Sequence, residues 1–434
     1  MSRGLRGALV VGLGIVAAPA AAQEADSAKI EQLEEQIEAI TRELEEMKLG
    51  REVVAQADTS MYGLGPAASK VYRVRRGVSI GGYGEFLYEN FATTREDGTA
   101  SGKTDQIDAL RGVVYVGYKF GDRFLFNSEI EVEHGSTAQS GSVSLEFAYL
   151  DFGFSDPVGA RGGLVLLPMG LVNEQHEPTT FLGTERPETE RFIIPSTWRE
   201  IGVGLFGAAG GFSYRGYAVA GLDAVSGGSS NAEGFSADGL RGGRQKGSKA
   251  VAENFAGVAR LDYTGRLGLM VGGSAYLGNS GQDATTPAGQ VIDGLTFIWE
   301  GHAQYSAYGF DLRALFSMAL VDDVPQLNEA QGFSGNESIG ERLIGWYVQG
   351  GYDVLRSVST RHQLIPYVRY EQIDTQDKVP AGFAANPAND RTILTLGAAW
   401  KPIPNVVVKG DYQIHRSAAN SGLNQWNLSM GYVF

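Results

Sequence analysis

Residue types that perform covalent chemistry are scarce in this chain, and they are scattered. The five histidines, His134, His176, His302, His362 and His415, lack the i, i+4 spacing that brings two imidazoles to one metal ion. There is no cysteine, so thiolate metal sites and disulfides are excluded. Neither a G-x-S-x-G elbow nor a phosphate-binding P-loop occurs. Asp411 and His415 share a strand face, but at ~3.3 Å per residue they lie about 13 Å apart, too far to pair. The sequence therefore offers no catalytic residue, no metal site and no cofactor site, and it reads as something other than an enzyme.

Charge, by contrast, is concentrated. Residues 173–199 carry Glu174, His176, Glu177, Glu185, Arg186, Glu188, Glu190, Arg191 and Arg199. Elsewhere, charged residues recur at every second position. Glu85, Arg111, Glu129, Glu131, Arg260, Asp262, Glu300, His302, Asp311, Arg313, Arg369, Lys409 and Asp411 all fall on the polar parity of their segments. Rings of such side chains set ion selectivity in a water-filled pore. The candidate pore-lining or constriction residues are Arg111, Glu129, Glu131, Arg191, Arg199, Arg260, Glu300, Arg313, Arg369 and Lys409.

Such residues need an element that sends polar side chains one way and apolar ones the other. In 107–120, Leu110, Val114, Val116, Tyr118 and Phe120 share one parity, against Ile107, Arg111, Tyr115 and Lys119. In 123–134, Phe124, Phe126, Ile130 and Val132 oppose Asn127, Glu129, Glu131 and Glu133. Alternation over about ten residues is the signature of a transmembrane barrel strand. Sixteen strands are predicted, at 78–92, 107–120, 123–134, 142–154, 161–172, 200–208, 211–222, 251–264, 266–278, 291–307, 309–321, 341–355, 361–373, 390–401, 404–416 and 423–434. Short connections alternate with long ones throughout, as periplasmic turns alternate with external loops. Both ends of the barrel then lie on the periplasmic side. The 60 glycines and 39 Tyr and Phe residues (19 and 20) suit many turns and aromatic girdles.

Ahead of the barrel, residues 1–22 read as a signal peptide: Arg3 and Arg6, an apolar run from Ala8 to Val16, then an A-x-A site before Gln23. Residues 24–49 read as a coiled-coil helix. Ile30, Ile37 and Leu44 form one seam, and Leu33, Ile40 and Met47 the other. Three heptads are marginal alone, so this helix is expected to associate where a trimeric barrel already gathers the chains. Residues 50–77 read as a linker with a basic cluster, Arg73, Arg75 and Arg76, and 78–434 as the barrel. The formal net charge is −14, and loss of Arg3 and Arg6 makes it two units more negative. Such a chain is a poor nucleic-acid binder.

The stretches Gly163–Gly170 (GLVLLPMG), Arg199–Gly202 (REIG), Gly345–Gly350 (GWYVQG) and Leu396–Tyr412 (LGAAWKPIPNVVVKGDY) resemble the phosphate-selective porin O and P family, taken broadly. A terminal Phe434 on an amphipathic strand likewise resembles the assembly signal of outer-membrane barrels. The resemblance implies a trimeric sixteen-stranded channel. Its named members use an arginine ladder and a lysine cluster for phosphate, to which no positions are matched here. The expectation is an all-β, sixteen-stranded antiparallel transmembrane β-barrel in the bacterial outer membrane, with its coiled coil in the periplasm. It would pass small hydrophilic solutes or ions, including anions such as phosphate, with lipid and two further copies as partners. The alternative is a structural protein that tethers the outer membrane to peptidoglycan through the coiled coil. The loop at 173–199 is expected to fold inward as a constriction.

Overall fold

In a computed structural model, the described residues are 60–434 apart from 139, 156 and 228–231. The signal-peptide and coiled-coil readings, at 1–22 and 24–49, lie outside them.

The chain forms a closed, antiparallel barrel of sixteen strands, each paired with its neighbour in sequence and β1 closing on β16. The strands are β1 (Gly77–Phe91), β2 (Gln106–Lys119), β3 (Phe124–Glu133), β4 (Ser142–Ser155), β5 (Val158–Leu166), β6 (Arg199–Ala209), β7 (Phe212–Ala220), β8 (Phe255–Arg266), β9 (Leu269–Asn279), β10 (Leu295–Ala307), β11 (Phe310–Val321), β12 (Arg342–Tyr352), β13 (Gln363–Lys378), β14 (Asp390–Ile403), β15 (Val406–Ser417) and β16 (Gln425–Val433). Closure leaves no sheet edge, which a lipid environment demands of strands.

The period of two places the apolar parity outside. Ile80, Phe86, Val114, Tyr118, Leu150, Val203, Leu261, Leu312, Trp426, Leu428 and Met430 are exposed. Their neighbours Tyr83, Glu85, Val113, Tyr115, Arg260, Asp262, Asn427 and Ser429 are buried inside. Paired aromatic rings near the short turns, Phe124–Phe152, Phe212–Tyr263 and Phe310–Tyr352, form a girdle. Two of those turns, Gly210-Gly211 and Tyr308-Gly309, have positive φ at both residues, the backbone that matches the twist of a hairpin.

The predicted strands agree with the observed ones to within a few residues. The largest difference is at β5, which ends at Leu166 rather than 172. There the chain leaves the wall and turns into the lumen. The β8–β9 turn sits at Leu267-Gly268 instead of Gly265, because β8 extends past a register shift between Tyr263 and Arg266. Part of the predicted linker also belongs to the barrel's interior. Residues 61–73 place Leu64, Ala67, Ala68 and Val71 in the same core as Tyr83, Val113, Tyr115, Leu125, Phe147 and Tyr149. The segment ends in one helical turn, Lys70–Arg73.

Candidate constriction site

The third long loop, residues 167–198 (L3), lies inside the barrel. Leu167, Met169, Asn173, His176, Glu177, Thr179, Leu182, Thr184, Glu190, Ile193, Ile194 and Trp198 are all buried. Its one short helix is Glu188–Phe192. Irregular backbone at this depth survives only where protein supplies its hydrogen bonds. The wall supplies them, and it does so with cations.

Five basic side chains from five strands reach L3 carbonyls. Arg260 on β8 donates to the Gly170 oxygen. Arg313 on β11 donates to Thr180 O at 2.6 Å, and Arg369 on β13 to Glu185 O at 3.2 Å. Lys401 on β14 reaches Thr179 O, and Lys409 on β15 reaches Gly183 O, each at 2.9 Å. The three arginines are also held by carboxylates two residues along their own strands. Arg260 meets Asp262 at 2.8 Å, Arg313 meets Asp311 at 2.9 Å, and Arg369 meets Glu371 at 2.7 Å. Positions i and i+2 share a strand face, so each pair is set by the local sequence.

Carboxylates of the wall and of L3 fix the remaining donors. Asp411 Oδ2 accepts from the Thr184 amide, the Thr184 hydroxyl and the Tyr367 hydroxyl, each at 2.8 Å. The Glu190 carboxylate accepts from Tyr347 at 2.6 Å and from the Val172 amide at 2.7 Å. Glu174 meets Arg215 at 3.2 Å. His176 donates through Nδ1 to Asn173 O at 2.8 Å, with Nε2 3.1 Å from Glu129. Burial opposes charge on this imidazole, but Glu129 outweighs it and holds the ring above the ordinary histidine range. Burial pushes the Glu177 and Glu185 carboxyls up to about 7.

Above this packed level L3 presents a second set of charges towards β1–β3. Arg186, Arg191 and Arg241 have no carboxylate within salt-bridge distance among the described residues. Burial, then the neighbouring Arg244, Arg191 and Arg186, pull Arg241 below the ordinary guanidinium range. Arg241 comes from the next long loop, residues 221–254 (L4), whose Leu240 amide bonds Phe192 O. Facing them on the wall are Glu85, Glu131 and Glu89. Glu85 and Glu131 already flank Arg111, at 3.3 and 3.7 Å.

No protein-family model matches the sequence. The chain is 37% identical over 374 residues to an uncharacterized protein of Aquifex aeolicus (strain VF5), a match that covers 84% of this chain and 82% of that one. The chain belongs to the same family as that Aquifex protein. Two solved structures share its fold at low identity. A loop L8 deletion mutant of OmpT, an outer membrane protein of Vibrio cholerae, superposes with a TM-score of 0.52 at 13% identity, over 83% of this chain and 100% of that one. OmpF of Salmonella typhi, in complex with daunomycin, gives 0.51 at 13% identity, over 83% and 98%. The fold of this family member is thus the one seen in outer-membrane porins.

All ten sequence-predicted site residues are placed by this geometry, in three groups. Arg260, Arg313, Arg369 and Lys409 hold L3. Arg111, Glu129, Glu131 and Glu300 sit on the inner wall, with Glu300 bonded to Ser274 and His302. Arg199 pairs with Glu146 at 2.7 Å where L3 rejoins the wall, and Arg191 is exposed at the mouth. Sequence reasoning missed Lys401, Asp411's role as a loop acceptor, and the L4 arginines. Asp411 and Lys401 carried a usable signal, since both lie on polar inward parities. Arg241 carried none, because L4 has no period. No group of three His, Asp or Glu residues able to hold a metal occurs among the described residues.

Proposed function

We propose that this protein is an outer-membrane porin through which small hydrophilic solutes and ions diffuse passively. One observation carries the reading: a closed barrel with an apolar outer wall has a charged interior narrowed by an inward loop, L3, that the wall itself anchors. A purely structural anchor has no need for such a loop. The barrel would sit in the outer membrane with its short turns in the periplasm. Assembly as a homotrimer is part of the proposal and rests on the heptad seam at 24–49.

Selectivity by sign should be weak. Arg186, Arg191 and Arg241 on the loops favour anions such as phosphate, while Glu85, Glu89 and Glu131 opposite favour cations. Opposed charges across a narrow gap orient a solute more than they exclude one. Liposome swelling with neutral sugars of increasing size tests the function. Uptake that falls steeply with solute size is expected, and liposomes that do not swell with the smallest sugar would refute it. Chemical crosslinking in the membrane tests the trimer.

A further inference from the structure

The interior wall of β1–β4 carries a column of polar groups below the mouth. Glu85 pairs in register with Arg111, and Arg111 with Glu133. One step down, Val113 pairs with Glu131, and a further step down Tyr115 pairs with Glu129. At the next level, Ser79 pairs with Gly117, Gly117 with Asn127, and Asn127 with Tyr149. The lowest level is Gly77, Lys119, Leu125 and Asp151. Most inward residues of this column are buried, and at its middle L3 packs onto it, with His176 Nε2 3.1 Å from Glu129 and its ring edge-on to Tyr83. Residues 61–73 lie across the column's lower end.

The segment fits there because the wall makes room. Two inward positions, Gly81 and Gly117, lack side chains where the segment approaches. A Cβ on Gly117 would stand 2.5 Å from Val71 Cγ2, and one on Gly81 would stand 3.0 Å from Ala67 O. The segment returns the favour towards L3. A Cβ on Gly63 would meet the Glu174 carboxylate at 2.6 Å, and one on Gly65 would meet the Glu177 carboxylate at 2.5 Å. Polar bonds then tie the segment to both sides. Glu177 Oε1 accepts from the Ala67 and Ala68 amides, each at 3.0 Å, and Oε2 accepts from Ala67 at 3.1 Å. The Asn127 amide donates to Ala68 O at 3.0 Å. The Tyr72 hydroxyl donates to Asp151 at 2.7 Å and accepts from Arg161 at 2.7 Å.

We infer that residues 61–73 are a releasable plug, latched to the constriction loop through Glu177, and that solute passage along the β1–β4 wall requires the plug to leave. The inference rests on the porin reading. It adds that the observed arrangement is the closed one. The plug is continuous with the N-terminal part of the chain, and its hold on the wall combines the buried side chains of Leu64, Ala67, Ala68 and Val71 with about half a dozen hydrogen bonds, without the ladder bonds that join the strands. Segments of that kind release far more easily than the strands beneath them.

The test is single-channel recording of the full-length protein in planar bilayers, with correct folding checked by heat-modifiable migration on gels. The chain has no cysteine, so the pair Val71→Cys and Gly117→Cys is the sole thiol pair; its Cβ atoms would lie about as close as a disulfide requires after a small shift. Oxidation should abolish most of the current, and a reductant should restore it. Gly117→Val, which fills the room the plug occupies, should act the other way and raise the open fraction several-fold. Oxidised, crosslinked protein that conducts like the reduced protein would overturn the plug. So would an unchanged open fraction in a folded Gly117→Val variant. Absence of current from wild type and all variants would instead overturn the porin reading and the plug with it.

Discussion

Replacing Asp411 by Asn should loosen L3 without disturbing the barrel. The carboxylate accepts on both oxygens: three bonds on Oδ2 from Thr184 and Tyr367, and bonds from Asn427 at 3.2 Å and Gln413 at 3.3 Å on Oδ1. Every group facing it is a donor. An amide offers one acceptor oxygen and turns an NH2 towards the remaining donors. If the oxygen stays with Thr184 and Tyr367, three charge-assisted bonds become neutral ones. Bonds to charged groups contribute about 1.5–3 kcal/mol and neutral ones about 0.5–1.5 kcal/mol, so the loss is roughly 1 kcal/mol for each. Tyr367 lies on β13 of the wall, so only the two Thr184 bonds dock L3; their sum, about 2 kcal/mol, shifts the docked-to-released equilibrium of L3 roughly thirty-fold. Hydrogen–deuterium exchange reads this directly. The Thr184 amide should lose about one and a half decades of protection, while amides in the β14–β15 ladder keep theirs. Current through single channels should also become noisier. Unchanged Thr184 protection would refute the claim that wall groups hold the loop.

Other expectations follow from the same geometry. Burial holds Glu177 and Glu185 at about 7, above their unfolded value, so their favourable contribution is full below about pH 4.5 and is lost as pH rises through 7. The mean current should therefore rise between about pH 4.5 and 7 and level off above 7, and Glu177→Gln with Glu185→Gln should flatten that profile. Arg161→Met strips the partner from the buried Asp151, which lies 2.8 Å away, at a cost of about 3–5 kcal/mol; the temperature of the folded-to-unfolded shift on gels should fall. Val203→Arg on the lipid-facing wall should cost about 2–4 kcal/mol if it sits near the bilayer midplane, measured by urea unfolding from vesicles, whereas the same change at the mouth, at Thr104 in the first long loop, should cost little.

The strands were legible because their cause is local. Phe124, Phe126, Ile130 and Val132 face lipid, while Asn127, Glu129 and Glu131 do not, and that parity is written in consecutive residues. L3 was legible from its length and charge density. Its attachment was not, because Lys401 and Thr179, or Asp411 and Thr184, are more than 200 residues apart. Basic residues that looked free to select ions, Arg313 and Lys409 among them, spend their donors on loop carbonyls. The segment at 61–73 was the least legible. Gly63 and Gly65 fall in the stretch read as a linker, and only the structure pairs them with Glu174 and Glu177. Nothing in the local pattern of Gly81 and Gly117 announces a space left for another part of the chain.

The central claim is that this barrel conducts through a lumen narrowed by L3. Single-channel recording of wild-type protein in a salt gradient tests it most directly. Discrete current steps with a reversal potential close to zero, reflecting basic loops opposed by an acidic wall, are the predicted result. A folded, membrane-inserted protein that gives no steps would contradict it.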